Sequence, residues 1–74
     1  MKVKNIGSNQ TEVHLNNGDI VLVSYETPVA AFVVGEGYYR TSEKWSATTT
    51  KHINKWLDGV KSFEVDQEVL NDFF

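Results

Sequence analysis

From residue 46 the chain reads Ser-Ala-Thr-Thr-Thr-Lys-His. Four hydroxyls and a lysine in so short a span could hold an anion if they open a helix. A helix start carries unpaired backbone N–H groups and about half a positive charge. A phosphate placed there would find further donors on Ser46, Thr48, Thr49 and Lys51, with Arg40 as a second cation. The competing reading is plain capping, in which Ser46 accepts from the Thr48 or Thr49 amide and contributes about 1 kcal/mol with no ligand at all. No glycine-rich loop precedes Ser46, so the nucleotide-cradle pattern is missing. Capping is therefore the favoured reading.

His52 could serve as a general base or a metal ligand. No serine, cysteine or carboxylate stands at a spacing that marks it as a partner, and catalysis needs such a constellation. The residue is expected to be structural, donating to a backbone carbonyl beneath a tryptophan. His14 lies far from it and shows no ligand spacing. Arg40, Lys44, Lys51 and Lys55, with Tyr38, Tyr39 and Trp45 nearby, have the mix of cations and rings that suits single-stranded nucleic acid. A solvated helix face explains the same lysines. Tyr38, Tyr39 and Trp45 also read as anchors for a protein partner, because Tyr and Trp dominate such contacts. Phe73 joins them if the tail stays outside the core.

These side chains need elements to carry them. Met1 to Ile6 reads as a short edge strand and Gly7-Ser8-Asn9 as a turn. Thr11–Leu15 and Ile20–Tyr25 alternate in hydropathy around Asn17-Gly18, which predicts a hairpin with a type I′ turn. Pro28 must sit at a bulge, an edge or a strand start. Val29–Val34 is almost wholly apolar, so a strand there is central or covered on both faces. Tyr38–Thr41 follows as a further strand of the meander. Ile53, Trp56, Leu57 and Val60 share one helical face, Ser46 is the N-cap and Gly59 the stop, giving a helix over 47–58. Thr48, Lys51, His52 and Lys55 fall on its other face. Val60–Val65 can form a last strand. Asp66 can cap a short terminal helix whose stripe is Val69, Leu70, Phe73 and Phe74, and completion of the core is its favoured role. The expected architecture is α+β: an antiparallel meander of four to five strands, curled or half-open as a barrel, with one packed helix and a short C-terminal helix.

The chain has 74 residues, which is room for a single domain over 1–74. So small a domain buries only about 60% of its unfolded surface. The absence of cysteine removes disulfides and thiolate metal sites, and no cofactor is expected. Nine aromatic residues can supply the core instead, and a homodimer is left open. The net charge of −3 argues against a general nucleic-acid binder. The charge is uneven: residues 44–61 hold four lysines and one acid, whereas residues 62–74 hold four acids and no base. No apolar run approaches the roughly 20 residues of a membrane span, and no apolar segment follows Met-Lys-Val-Lys-Asn, so neither a membrane anchor nor a secretory signal is expected.

Two strings carry a resemblance. Tyr25, Thr27, Pro28, Val29 and Ala30 form a Tyr-x-Thr-Pro-Val-Ala strand. Ser46, Thr48, Thr49, His52, Ile53 and Asn54 form a Ser-x-Thr-Thr-x-x-His-Ile-Asn helix start. Together they resemble a family of small hypothetical proteins of bacteriophages and their relatives, over residues 12–58. The resemblance implies a phage-type origin and action in the cytoplasm of a bacterial host. It implies no activity, because no function is assigned to that family. With no triad, paired-carboxylate, metal or P-loop constellation, the chain is not expected to be an enzyme. The leading expectation is an accessory protein that binds a host protein. A phosphate-bearing ligand (a small nucleotide or single-stranded nucleic acid) and a self-assembling virion role are the alternatives.

Overall fold

A computed structural model of the protein describes residues 1–73. Its core element is a six-stranded open sheet in sequence order: β1 (Lys2–Gly7), β2 (Gln10–His14), β3 (Ile20–Ser24), β4 (Thr27–Val33), β5 (Gly37–Thr41) and β6 (Ser62–Val65). Helix α1 (Ala47–Leu57) links β5 to β6, and α2 (Gln67–Asn71) follows β6. The α+β class is as expected, with more strands than expected and no closure into a barrel.

The first four pairings are antiparallel, but β6 lies parallel to β5, so the sheet is mixed and not a pure meander. Length explains the change. A helix of 11 residues spans about 16 Å, close to the span of a five-residue strand. Helix α1 therefore returns the chain to the level at which β5 began, and the next strand must run the same way.

The β2–β3 hairpin forms as expected, with a different turn. Only Gly18 has positive φ, at 99°, and Asn17 does not. Gly18 N–H bonds the Leu15 carbonyl at 3.1 Å and Leu15 N–H bonds the Asp19 carbonyl at 2.8 Å. That is a type I turn closed by a left-handed glycine, not type I′. The buried Asp19 side chain explains the choice. Asn17 Nδ2 donates to its Oδ2 at 3.2 Å, the Val34 N–H donates to its Oδ1 at 3.0 Å, and Asn17 Oδ1 accepts the Asp19 N–H at 3.0 Å.

Pro28 sits at a register shift, since Leu22 pairs with Ala30 but Val23 pairs with Pro28. The extra residue, Val29, joins Leu22, Ala30, Ile53 and Leu57 in one buried cluster, with Tyr38 and Trp56 packed against it. A second cluster holds Val13, Val21, Ala31 and Leu70, flanked by Tyr39, Val65 and Phe73. Away from that bulge, neighbouring residues such as Val21 and Leu22 or Ala30 and Ala31 divide between the clusters, as the two-residue period of a strand demands. The sheet is thus covered by α1 on one face and by α2 on the other, and Val29, Ala30 and Ala31 of β4 are fully buried. This answers the apolar β4 sequence: that strand is central and covered on both sides.

Helix α1 begins at the expected cap and ends at Asp58, which is left-handed at φ 47°, just before Gly59. Val60 lies beyond the helix and is exposed, so it does not extend the apolar stripe. Leu70 completes the core from α2 and Phe73 is half-buried. Phe74, expected on the same stripe, lies outside the described residues. No helix among the described residues is long and apolar enough to cross a membrane.

Candidate functional site

Ser46 Oγ accepts the Thr49 N–H at 3.2 Å, and Thr50 Oγ1 donates to the Ser46 carbonyl at 3.3 Å. Thr48 and Lys51 point to solvent, while Thr49 is buried. The Thr49 hydroxyl turns inward, 3.1 Å from Ser24 Oγ at the end of β3, and Ser24 Oγ lies 2.8 Å from His52 Nδ1. Ser46 donates to Thr49 Oγ1 at 3.3 Å, so three hydroxyls and the imidazole form one continuous hydrogen-bonded chain.

The bond to a serine hydroxyl corrects the expected bond from His52 to a backbone carbonyl. Tyr25, not a tryptophan, is the ring beside it, with centroids 6.1 Å apart. The sequence reading found no serine partner for His52, because Ser24 is 28 residues away and on a different element. Its one available signal was the position of Ser24 as a small polar residue ending an apolar strand. The pair has the atoms of a nucleophile and a base, but Ser24 is only 2% exposed. Its hydroxyl is fully engaged and faces the helix. The arrangement pins α1 to β3.

Arg40 is not drawn to the helix start. Its Nη1 donates to Asn54 Oδ1 at 3.3 Å, near the middle of α1. Arg40, Lys44, Trp45 and Thr50 do line one cleft of about 390 Å³, together with Glu43 and Glu64. The two carboxylates offset the two cations, which gives an anion little net attraction. Of the residues expected around a phosphate, Arg40 lines this cleft, Ser46 is spent on capping, Thr49 faces the core, and Thr48 and Lys51 are not among its lining residues.

The expected aromatic contact set is also divided. Tyr38 packs under α1, with its ring 5.9 Å from Trp56 and 4.9 Å from Phe32. Tyr39 points to the opposite face, where its ring meets Phe63 edge-on at 6.1 Å. Strand alternation in the sequence already separates these two tyrosines. Trp45 stands at the end of the sheet, and its Nε1 donates to Gln67 Oε1 at 3.2 Å. Gln67 is a junction: it also accepts from Thr41 at 2.8 Å and donates to the Pro28 carbonyl at 2.6 Å and to Asn71 at 3.0 Å. All of its amide capacity is used, which fixes α2 against β4 and β5.

On the α2 face, Tyr39, Phe63, Val65, Val69 and Glu36 line an open groove of about 500 Å³. Phe63 is 63% exposed and Val69 42% exposed. Tyr39 Oη donates to Glu36 Oε1 at 2.5 Å, and that bond, with burial and the Glu36 charge, raises the tyrosine pKa. Phe73 packs on the same face, over the second core cluster. The sequence pointed to Tyr39 and Phe73 here and placed Val69 on the tail's apolar stripe, but Phe63 was missed. Phe63 was legible as a bulky ring between Ser62 and Glu64 in a predicted strand.

The opposite face holds one charged cluster. Trp56 Nε1 donates to Glu12 Oε2 at 2.7 Å, and His14 Nε2 meets Glu12 Oε1 at 2.9 Å. Burial acts to raise the Glu12 pKa, but the Trp56 and His14 bonds and the charges of His14 and Lys4 outweigh it and hold the group below its ordinary 4.5. A folded-state pKa below the unfolded one stabilises the fold above the unfolded value, and the effect is lost as pH falls through the folded value. Thermal unfolding scanned from neutral to acidic pH should therefore show Glu12→Gln less stable than the natural chain near neutrality. The gap should close once the pH has dropped below the lowered Glu12 pKa. A gap that does not change with pH would rule out the carboxylate charge as its source.

The model of a family described as "Family of unknown function (DUF8033)" matches residues 1–72. No curated protein and no solved structure matches the chain.

Proposed function

The chain belongs to the DUF8033 family, and we propose that it acts by non-enzymatic binding of a partner protein on the α2 face of its sheet. One observation carries this reading. Tyr39, Phe63, Val65 and Val69 form an open, largely apolar groove in which Phe63 and Val69 remain exposed although the chain has a core to receive them. Exposed rings grouped with aliphatic side chains are the usual anchors of protein contacts. Binding rather than catalysis is supported by the Ser24–His52 pair, whose nucleophile is sealed beneath α1. The phage-type strings support a host protein as the partner and the cytoplasm of an infected bacterium as the place of action. The phosphate reading is not advanced, because the hydroxyls that suggested it are capped or buried and its cleft is charge-balanced.

The test compares the natural chain with Phe63→Ser and Tyr39→Ala in capture from nuclease-treated bacterial lysate. Phe63 is exposed, so thermal unfolding of Phe63→Ser should shift little, whereas Tyr39 also flanks the second core cluster and Tyr39→Ala is read only at temperatures where it stays folded. A stoichiometric protein retained by the natural chain should be lost with Phe63→Ser, by tenfold or more if Phe63 is a hot spot worth about 2 kcal/mol. Capture that survives both changes would remove this groove as the contact.

A further inference from the structure

The sheet has two free edges, β1 and β6, and they are opposite in charge. Strand β1 exposes Lys2 and Lys4, with Val3 between them 66% exposed. Strand β6 exposes Phe63 and Glu64, with Asp66 and Glu68 just beyond. Among the described residues the only ion pair is His14–Glu12, so Lys2, Lys4 and Glu64 form no ion pair there, although the Lys4 charge is felt by Glu12 opposite it. An uncovered edge presents unpaired backbone donors and acceptors to any strand that fits.

The pairing registers say which strand fits. Val3 pairs with Val13 and Phe63 with Tyr39, which places both on the α2 face. Lys4 pairs with Glu12, the partner of Trp56 on α1, and Glu64 pairs with Arg40, which bonds Asn54 on α1. Both are on the α1 face. Strands β1, β3 and β5 run in one direction and β6 is parallel to β5, so β1 and β6 also run the same way. A second copy set beyond β6 in the same orientation would offer β1 in parallel. Val3 then falls beside Phe63 and Lys4 beside Glu64, apolar against apolar on one face and base against acid on the other. Pairing β1 with β1 about Val3 would set Lys2 against Lys4, and pairing β6 with β6 would set Glu64 against Glu64 or Ser62, so neither gains a base–acid pair. Charge thus favours the head-to-tail arrangement over both symmetric ones.

We infer that the chain associates with further copies of itself head to tail, by adding β1 of one copy to β6 of the next. Such a contact is heterologous, so it leaves a free edge at each end and builds open rows instead of a closed dimer. Its main contact is the backbone edge of β6, and it shares Phe63 with the partner groove proposed above on the α2 face. A four-residue edge is far smaller than the roughly 1,200 Å² of a stable complex, so assembly is weak and concentration-driven.

Sedimentation velocity of the full chain, from micromolar to millimolar concentration, tests this. The average mass should rise past that of a dimer without reaching a plateau, and added salt should reduce it. Glu64→Lys alone, or Lys2→Glu with Lys4→Glu, should each weaken association about tenfold, because attraction across the edge becomes repulsion. Mixing the two variants restores an opposite-charge pair at every junction and should restore assembly. A chain that stays monomeric at millimolar concentration, a mass that stops at dimer, or a mixture no larger than its components would each overturn the inference. The natural chain's concentration and salt series decides the matter even if a variant does not fold. Lysate capture that depends on Phe63 beside a monomeric natural chain would overturn self-assembly and leave the partner groove standing.

Discussion

Leu70→Ala should destabilise the protein by about 2–5 kcal/mol, the usual cost of emptying a buried leucine site. Leu70 is 0% exposed and sits among Val13, Val21 and Ala31, so three strands line the hole it would leave. The expected total stability for a chain of 74 residues is only roughly 4–11 kcal/mol. The loss would therefore be a large part of the whole, and the melting temperature should fall by at least about 8 °C. Val69→Ala, one residue earlier and exposed, should change stability by less than about 0.5 kcal/mol. Urea unfolding of the two variants separates the roles of the tail. A large loss for Leu70→Ala with little for Val69→Ala means that α2 completes the core and displays a surface at once. Equal small effects would mean that α2 is not docked in solution.

Ser24→Ala is expected to cost about 1–3 kcal/mol, because it strips a partner from two buried groups, Thr49 Oγ1 and His52 Nδ1. The lost methylene-sized volume is small, so the penalty is chiefly that of unsatisfied polarity. Adding His52→Phe to Ser24→Ala removes the orphaned ring nitrogen. The double variant should be less destabilised than the sum of the singles, with a coupling of about 0.5–3 kcal/mol. Nitrogen chemical shifts of the imidazole give an independent readout and should report Nδ1 as hydrogen-bonded, a signature that Ser24→Ala should remove. A ring whose shifts do not respond to Ser24→Ala would rule out the Ser24–His52 bond in solution. Strict additivity would mean that the three side chains do not act as one unit.

Local features of this protein were legible without a structure. Ser46 as N-cap, the stop at Gly59, Pro28 at a bulge and the hairpin around Gly18 all depend on residues a few positions apart, and their chemistry is short-range. The turn type at Gly18 was not, because it depends on Asp19 accepting from Val34, which is 15 residues away. The separation of Tyr38 from Tyr39 was available from strand periodicity and was obscured by reading the aromatics as one patch.

What the sequence alone determined is the set of elements: strand alternation, one capped amphipathic helix, a short acidic helix and an overall α+β class. Tertiary structure decided what those elements do together. It set β6 parallel to β5, because the length of α1 matches that of β5. It put α2 on the face opposite α1 and so left Phe63 and Val69 uncovered. It also brought Ser24 to His52, turning a phosphate-like run of hydroxyls into a buried pin. These outcomes rest on contacts between elements far apart in the chain. Hydropathy and propensity report how each segment meets its own neighbours, and only packing the segments around a shared sheet decides which distant side chains meet.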